Sequence, residues 1–247
     1  MSTPHVELRS DTFTTPTPEM RRAMADSEVG DDEYGEDPSV NRLQSLAAAA
    51  LGTEAALYTP SGTMANQLAL RVSSRPGTEV LCPARAHVHL YEAAASPQNS
   101  GVQIHPLWDV PDGIVAAVEG MAHELPPVSM LVLENTYMAM SGAPTGADEM
   151  RTLVSLAHER GLRVHVDGAR IWNAAIATGS PPSELTGGAD TVMFCLSKGL
   201  GAPVGSVLCG RADVIAEARE QRRRLGGGMR QAGVIAAAGI VALETMV

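Results

Sequence analysis

Short apolar runs alternate along this chain with longer segments in which apolar residues recur every three or four positions. The short runs predict strands, and the longer segments predict helices. Strands are expected at residues 55–60, 79–83, 102–107, 129–135, 162–168, 190–197 and 205–210. Such alternation is typical of a largely parallel sheet covered by helices. The pattern therefore predicts an α/β fold with a mostly parallel, mixed sheet of about seven strands sandwiched by helices.

Two segments show the helical pattern most clearly. Residues 39–52 carry apolar side chains at helical spacing and end at Gly52, and residues 146–161 carry acids early, bases late and end at Gly161. A terminal glycine, and charges that match the helix dipole, are ordinary signals of helix ends. We interpret both segments as packing helices with no chemistry of their own.

The two ends of the chain differ from its middle. Residues 1–40 are rich in Thr, Pro, Asp and Gly, which predicts an extended N-terminal arm with one short helix. A polar segment of this length is usually functional or interfacial. Residues 41–247 are predicted to form one large domain. Within them, the segment at 232–244 reads AGVIAAAGIVALE, which is typical of an interior helix.

Composition and charge narrow the class of protein. The 247 residues are 45% hydrophobic and 19% charged, which fits a globular protein with a sizeable core. A net charge of -10 at pH 7 argues against a nucleic-acid partner, because a phosphate backbone would be repelled. The apolar runs are too short for a membrane span, and three separated cysteines without CxxC spacing are expected to be buried thiols. We therefore expect a cytoplasmic protein without a membrane partner.

The loop after the first predicted strand is a candidate phosphate site. Ser61, Gly62 and Thr63 precede an apolar helix whose first backbone N–H groups have no partner within the helix. Such N–H groups bind phosphate well. The same three residues also make an ordinary helix cap, and the motif taken alone favours that capping role.

An acid ends the fifth predicted strand. Asp167 follows an apolar run, and a buried carboxylate needs a cation or a hydrogen-bond donor because an unpaired buried charge is costly. The protonated nitrogen of a bound ring would serve. Capping of the helix that begins near Ala169, or pairing with Arg170, would serve equally well. The residues alone leave both interpretations open.

Lys198 follows the next predicted strand and is the only lysine in the chain. It lies between Ser197 and Gly199, and the further glycines at 201 and 205 allow the backbone to approach another group closely. Partial desolvation of an amine favours its uncharged form, which attacks carbonyl groups. An exposed surface lysine is the common alternative, but these neighbours favour a lysine that forms a Schiff base.

Other polar groups follow neighbouring strands. His87 and His89 would share one side of an extended segment and could bind a metal, but no third ligand at suitable spacing is evident, so no metal site is expected. The alternative is a histidine ring that lies flat on a planar cofactor. Glu134 and Tyr137, at and beyond the end of the fourth strand, are expected to face the same cleft.

Several segments resemble one enzyme family, in the same order along the chain. They read RSDTFTTPTPEM, GDDEYGEDPSVNRLQ, SGTMANQLAL, AHVHLYE, LENT, HVDGARIWNAA, LSKGLGAPVGS and GGGMRQAG. With them the chain resembles the threonine aldolase branch of the aromatic amino acid beta-eliminating lyases, which use pyridoxal 5'-phosphate (PLP). The resemblance implies fold type I, the PLP-dependent transferase-like fold of aspartate aminotransferase.

The resemblance also implies roles for the matching residues. Lys198 would form the Schiff base, Asp167 would face the pyridine nitrogen, and His87 would stack on the cofactor ring. These three are the candidate catalytic residues. Gly62 and Thr63 would hold the cofactor phosphate.

Further residues are implied around the substrate and at the subunit boundary. Arg170 and Ser10 would hold the substrate carboxylate, and Arg170 and Ser197 would also lie against the cofactor. The arm and GGGMRQAG lie at subunit contacts in relatives. Tyr34, a candidate substrate-binding residue, and Arg230 would therefore serve a neighbouring site in a homodimer or homotetramer.

The implied reaction is the cleavage of a β-hydroxy-α-amino acid, of the threonine or allo-threonine type, to glycine and an aldehyde. The alternatives are β-elimination or transamination of another amino acid, and a truncated, inactive homologue. Tyr137, a candidate substrate-binding residue, stands where many relatives carry a histidine near the substrate hydroxyl. Tyrosine is a poorer base near pH 7, so substrate preference or rate is expected to differ.

Length is the larger departure from the family. Relatives carry a further C-terminal small domain, which we expect to be absent here, so that the chain comprises the large domain only. On that expectation, the apolar side of the helix at 232–244 is exposed or covered by a partner chain.

Overall fold

One sheet of seven strands forms the centre of the computed structural model, which describes residues 6–119 and 126–247. The strands are β1 (Ala55–Thr59), β2 (Glu79–Pro83), β3 (Gln103–Leu107), β4 (Val128–Glu134), β5 (Arg163–Asp167), β6 (Thr191–Cys195) and β7 (Ser206–Gly210). Their order across the sheet is β1-β7-β6-β5-β4-β2-β3. Each predicted strand coincides with an observed one.

The sheet is mixed because β7 runs against both of its neighbours. Its pairs with β1 and β6 are antiparallel, whereas the other pairs in the described part of the chain are parallel. Glu134 at the end of β4 lies opposite Asp167 at the end of β5. The predicted mostly parallel, mixed sheet is therefore confirmed, and its parallel strands end at one common edge.

Helices cover both faces of the sheet. The α-helices are α1 (Pro18–Ala25), α2 (Pro38–Leu51), α3 (Gly62–Ser73), α4 (His87–Leu90), α5 (Ala95–Ser100), α6 (Val110–Glu119), α7 (Ala147–His158), α8 (Ile171–Thr178), α9 (Ala212–Arg224) and α10 (Gly233–Thr245). Side chains that alternate along β1 enter the two different layers. Ala56 and Tyr58 belong to the hydrophobic core on the face covered by α2, α7, α8 and α10. Leu57 belongs to the core on the opposite face, which α3 and α9 cover.

The helix bounds follow from local chemistry. The side chain of Asp37 accepts a hydrogen bond from the first turn of α2, Pro38 occupies the first helical position, and Gly52 ends the helix with a φ of 67°. The prediction of a helix ending at Gly52 is confirmed. The second predicted packing helix is α7, which ends at His158, and a turn leads from there to Gly161.

The helix at the end of the chain lies inside the molecule. Ala236 and Ala238 of α10 are fully buried, and the helix packs against α1 and α2. A Cβ atom at Gly239 would lie 2.8 Å from Leu196 Cδ1 and 3.1 Å from Leu43 Cδ1. The expectation that the apolar side of this helix is exposed or covered by a partner chain is therefore wrong, because α1 and α2 of the same chain cover it.

A buried ion pair attaches the N-terminal segment to α9. Arg222 Nη2 donates to Asp32 Oδ2 at 2.6 Å, and Nη1 donates to the carbonyl oxygen of Tyr58 at 2.7 Å. The two charged side chains are 2% and 1% exposed, and Arg222 Nε lacks a hydrogen-bond partner among the described residues. Loss of Asp32 would leave the buried Arg222 guanidinium without an ionic partner among the described residues, so the pair fixes the position of the 3₁₀ helix at Asp32–Tyr34.

The three cysteines are free and buried, as predicted. Burial raises the pKa of the Cys82 and Cys209 thiols to about 12, which keeps both thiols protonated and unreactive at neutral pH. Within residues 6–119 and 126–247, the helices lack the combination of length and apolar character that a membrane span requires.

Candidate active site

A cleft lies beyond the carboxyl ends of β1, β5 and β6. This is the usual place for a ligand in an open parallel sheet, because the loops after successive strands converge there. The cleft brings together residues from distant parts of the sequence. The predicted site residues that line it are Gly62, Thr63, His87, Asp167, Ser197 and Lys198.

The first turn of α3 forms one wall of the cleft. The hydroxyl oxygen of Ser61 accepts from Met64 N at 3.2 Å, and its carbonyl oxygen accepts from Ala65 N at 3.1 Å. The capping role considered for this motif is therefore confirmed for Ser61. The N–H groups of Gly62 and Thr63 have no partner within the helix, and both residues line the cleft. This wall can therefore bind an anion.

Glycine is required at the start of α3. A Cβ atom at Gly62 would lie 2.9 Å from Cys195 Sγ and 3.0 Å from Met193 Cε. Both distances are shorter than an ordinary carbon contact. The helix terminus therefore packs directly on β6, which places its N–H groups close to the loop that carries Lys198.

Asp167 forms the floor of the cleft and is 3% exposed. Its Oδ2 accepts from Asn66 Nδ2 at 2.7 Å, and its Oδ1 accepts from Ala169 N at 3.0 Å. The bond to Ala169 N is a local capping interaction, but it caps the turn before α8, which begins only at Ile171. The alternative pair with Arg170 does not form, because Arg170 pairs with Asp11. Asp167 therefore keeps a carboxylate in the cleft without a cationic partner among the described residues.

Two carboxylates hold His87. Its backbone N–H donates to Glu134 Oε2 at 2.8 Å, and its Nδ1 lies 3.0 Å from Glu92 Oε1. The hydrogen bond with Glu92 raises the pKa of His87, and burial acts in the opposite direction. Burial also raises the pKa of Glu134, and the nearby Asp167 carboxylate raises it further. The described residues offer His87 Nε2 no hydrogen-bond partner, so this nitrogen is free to meet a ligand.

Three possible metal ligands also meet here. Atoms of His87, Glu92 and Asp167 lie within 4.8 Å of one another. However, Asn66 Nδ2 donates to both carboxylates, and His87 Nδ1 is bonded to Glu92, so N–H groups compete with a cation for these oxygens. The metal-binding pair of His87 and His89 that the sequence suggested does not form. The two residues lie in the short helix α4 and not in an extended segment, and His89 Nδ1 bonds the carbonyl oxygen of Ala84.

The Lys198 turn is tied to the N-terminal segment. The carbonyl oxygen of Lys198 accepts from Gly201 N at 2.9 Å and from Thr14 Oγ1 at 2.6 Å. Its side chain lines the cleft together with Ser197. Because the chain has no second lysine, this is its one side-chain amine.

Arg170 and Ser10 lie at the N-terminal margin of the cleft rather than in its lining. Arg170 Nε and Nη2 donate to the two carboxylate oxygens of Asp11 at 2.9 and 2.7 Å. Burial alone would raise the pKa of Asp11, but Arg170 lowers it below its ordinary value. Ser10 caps the 3₁₀ helix that follows, its hydroxyl accepting from Thr12 N at 3.2 Å.

Three other predicted residues lie outside the cleft. The Tyr137 hydroxyl accepts from Arg85 N at 2.9 Å and lines a separate groove, and burial raises the pKa of this tyrosine. Tyr34 is 76% exposed. The Arg230 side chain is 64% exposed and its Nη1 lies 3.5 Å from Asp31 Oδ1. Tyr137 therefore does not line the cleft that it was expected to face, because its hydroxyl is held by Arg85 N in the separate groove. The roles of Tyr34 and Arg230 at a neighbouring site stay predictions.

Sequence reasoning missed three buried polar residues around the cleft: Asn66, Glu92 and His165. His165 Nε2 lies 3.0 Å from Asn66 Oδ1, and its Nδ1 lies 2.9 Å from Thr191 Oγ1. A polar residue inside an otherwise apolar strand or helix face is the signal that could have revealed them. His165 occupies such a place in β5, and Asn66 occupies one in α3.

The arrangement of these groups along the chain agrees with one protein family. Residues 7–247 match the family model described as beta-eliminating lyase. The chain belongs to the beta-eliminating lyase family. The match includes every strand of the sheet and every residue that lines the cleft.

Individual relatives agree with this assignment. An uncharacterized protein of Caenorhabditis elegans is 43% identical over 245 residues, which are 97% of this chain and 59% of that protein. The low specificity L-threonine aldolase of Escherichia coli O157:H7 is 42% identical over 249 residues, which are 98% of this chain and 74% of that enzyme. The chain therefore spans about three fifths to three quarters of the length of these two relatives.

A solved structure shows the same fold. The threonine aldolase of Leishmania major superposes with a TM-score of 0.82 at 20% identity, over 96% of this chain and 72% of that one. At this identity the likeness concerns the fold alone. The fold predicted from the sequence is confirmed.

Proposed function

We propose that this chain is a PLP-dependent carbon–carbon lyase of the threonine aldolase type. It would cleave a β-hydroxy-α-amino acid, such as threonine or allo-threonine, to glycine and an aldehyde. The observation that carries the proposal is the meeting of four kinds of group in one cleft: the only lysine, a buried acid, a histidine, and the two N–H groups at the start of α3. In the described part of the chain, Nε2 of this histidine has no hydrogen-bond partner, and the two N–H groups have none within their helix. The similarity to the E. coli low specificity L-threonine aldolase supports the substrate class.

The residues of the cleft fit each part of the cofactor. The N–H groups of Gly62 and Thr63 suit the phosphate. Asp167 would hold a proton on the ring nitrogen, and His87 would pack on one face of the ring. Lys198 would form the covalent bond through its amine. When bound, PLP supplies a ring that accepts the electrons of a breaking bond at Cα of the substrate.

The N-terminal segment would orient the substrate. Asp11 engages Nε and Nη2 of Arg170, which leaves Nη1 for a substrate carboxylate. The Ser10 hydroxyl lies in the same segment. A carboxylate held at a fixed point restricts rotation about Cα, and that rotation decides which bond of Cα is aligned for cleavage.

His87 is the best placed group to take the proton of the β-hydroxyl. Its Nδ1 is held by Glu92, its Nε2 is unpaired among the described residues, and its pKa is raised by that hydrogen bond. A histidine in this state can accept and return a proton near neutral pH. Tyr137 is less suitable, because its hydroxyl is turned towards Arg85.

Assembly and location are part of the same proposal. The exposed Tyr34 and Arg230 would complete the site of a second copy in a homodimer or homotetramer. Residues 41–247 would form the cofactor-binding domain, with residues 1–40 as its arm. Three free, buried thiols suit a reducing compartment such as the cytoplasm.

Reductive trapping tests cofactor binding directly, since the chain has a single lysine. Protein incubated with PLP is reduced with borohydride, digested and examined by mass spectrometry. We expect a pyridoxyl group on the peptide that contains Lys198 and none on that peptide in Lys198→Arg, whose guanidinium cannot form the bond. The N-terminal amine reports non-specific labelling. A label confined to that amine in the wild-type protein would refute the proposal.

Product analysis tests the reaction. The cofactor-loaded protein is incubated with threonine, allo-threonine and phenylserine, and glycine and aldehyde are measured together. Equal amounts of both products are expected, and Lys198→Arg should form neither. Ammonia and a 2-oxo acid would instead indicate β-elimination. Absence of glycine from all three substrates would overturn the aldolase assignment.

A further inference from the structure

Asn66 joins three side chains that belong to three different elements. Its Oδ1 lies 3.0 Å from His165 Nε2, and its Nδ2 lies 2.7 Å from both Glu92 Oε1 and Asp167 Oδ2. Asn66 and His165 are 1% and 0% exposed, and each of the two acids is 3% exposed. Every polar atom of the Asn66 carboxamide is therefore used, inside a region without bulk water.

The orientation of the carboxamide follows from its partners. Carboxylates accept hydrogen bonds and do not donate them, so the amide N–H groups must face Glu92 and Asp167. The amide oxygen then faces His165, whose Nε2 must carry a hydrogen. His165 Nδ1 in turn accepts from the Thr191 hydroxyl. One chain of donors thus runs from Thr191 through His165 and Asn66 to the two acids.

The two acids are close enough to repel each other. Their oxygens lie within 4.8 Å, and like charges at this separation interact strongly in a poorly solvated interior. Each accepts one hydrogen of the same amide group. Glu92 has two further donors, Gln67 Nε2 at 2.7 Å and His87 Nδ1 at 3.0 Å. Among residues 6–119 and 126–247, Asp167 has only Ala169 N besides Asn66. Asp167 therefore depends on Asn66 more than Glu92 does.

Asn66 also belongs to the first turns of α3, four residues after Gly62. Its backbone is therefore rigidly connected to the N–H groups that line the cleft, while its side chain holds Asp167 directly and His87 through Glu92. We propose that Asn66 is a positioning residue, which sets the acid and the histidine against a cofactor whose phosphate is bound at the start of the same helix. This inference rests on the proposed function.

The first test compares two neighbouring buried amides. Asn66→Ala removes a donor to each of the two acids. The control Gln67→Ala removes a donor to Glu92, together with contacts to Ser96 and Asn99, and leaves the hydrogen bonds of Asp167 in place. We expect Asn66→Ala to bind PLP roughly ten- to hundredfold more weakly, the range for lost hydrogen bonds to charged groups. We also expect the pH at which the bound cofactor changes its absorbance to shift by about half a unit or more. Gln67→Ala should leave that pH unchanged.

A second pair of variants covers the case in which Asn66→Ala does not fold. His165→Leu removes the donor to Asn66 Oδ1 without touching either acid, and His165→Gln retains a donor there. We expect His165→Leu to shift the pH profile of the cofactor absorbance away from that of the wild-type protein, and His165→Gln to keep the wild-type profile. Equal profiles for the leucine and glutamine variants would contradict the role of Asn66.

The outcomes separate this inference from the proposed function. If the wild-type protein carries no PLP on Lys198, the proposed function fails and the inference fails with it. If the wild-type protein binds PLP, and Asn66→Ala binds it within twofold of the same affinity and with the same pH profile, only the inference is overturned. Since affinity and absorbance are measured without turnover, neither result depends on the natural substrate.

Discussion

His165 should give the folded protein a pH-dependent stability that a single substitution can isolate. The ring is fully buried in β5 between Thr191 and Asn66. Burial lowers its pKa from 6.5 to about 4, although the Asp167 charge acts in the opposite direction. In the unfolded chain the same ring takes up a proton near pH 6.5. Between these values the unfolded chain binds more protons, so stability must fall as the pH is lowered through this window.

The magnitude follows from the width of that window. Each pH unit between the two pKa values changes the free energy of unfolding by about 1.4 kcal/mol, and a span of about 2.5 units gives roughly 3 kcal/mol. His165→Gln removes the titration and keeps a donor for Asn66. The variant should be less stable at pH 7, and its difference from the wild-type protein should shrink by about 2 kcal/mol between pH 6.5 and 5.

Urea unfolding of the cofactor-free proteins, at one protein concentration and several pH values, measures this difference. Groups that titrate in both proteins cancel in it. Val164→Ala is the matched control, since Val164 is buried in the same strand but cannot titrate, and its difference from the wild-type protein should not change with pH. If the His165→Gln difference were equally constant, the assignment of a buried, neutral His165 would be refuted.

Three further substitutions test the close contact at Gly62, the buried ion pair of Asp32 and the attachment of the N-terminal segment through Asp11. Gly62→Ala should lower the free energy of unfolding by about 1–3 kcal/mol through overpacking. Gly146→Ala should change it little, because a Cβ atom there meets nothing within 4 Å. Equal urea midpoints for the two variants would contradict the close packing of Gly62 on β6. Asp32→Ala should cost about 3–5 kcal/mol because it leaves a buried guanidinium unpaired, whereas the exposed Asp213→Ala should have no measurable effect in the same assay. Asp11→Ala should release the N-terminal segment from Arg170 and speed chymotryptic cleavage after Phe13, followed by mass spectrometry; an unchanged rate would disprove this attachment.

Much of the fold could be predicted because its signals are local. The apolar runs that form the strands and the glycines and prolines that bound the helices depend on neighbouring residues only. The placement of Asp167 and Lys198 at the ends of β5 and β6 followed from the same pattern, because parallel neighbours end at one edge. Resemblance to the family then implied the cofactor.

The partners of these residues could not be predicted in the same way. Asn66 meets Asp167 from 101 positions away, and Arg170 meets Asp11 from 159 positions away. The apolar helix α10 was expected to need an external cover, yet α1 and α2 of the same chain provide it. Each contact depends on which elements are neighbours in space, and periodicity along the chain does not encode that.

The sequence by itself therefore predicted the strands, the edge of the sheet where the candidate site lies and the single lysine that lines it. The tertiary structure decided which buried groups hold that site together. The physical reason is that secondary structure follows from local backbone and hydrophobic preferences, whereas a buried polar side chain is satisfied only by the donor or acceptor that the packed sheet and helices bring to it.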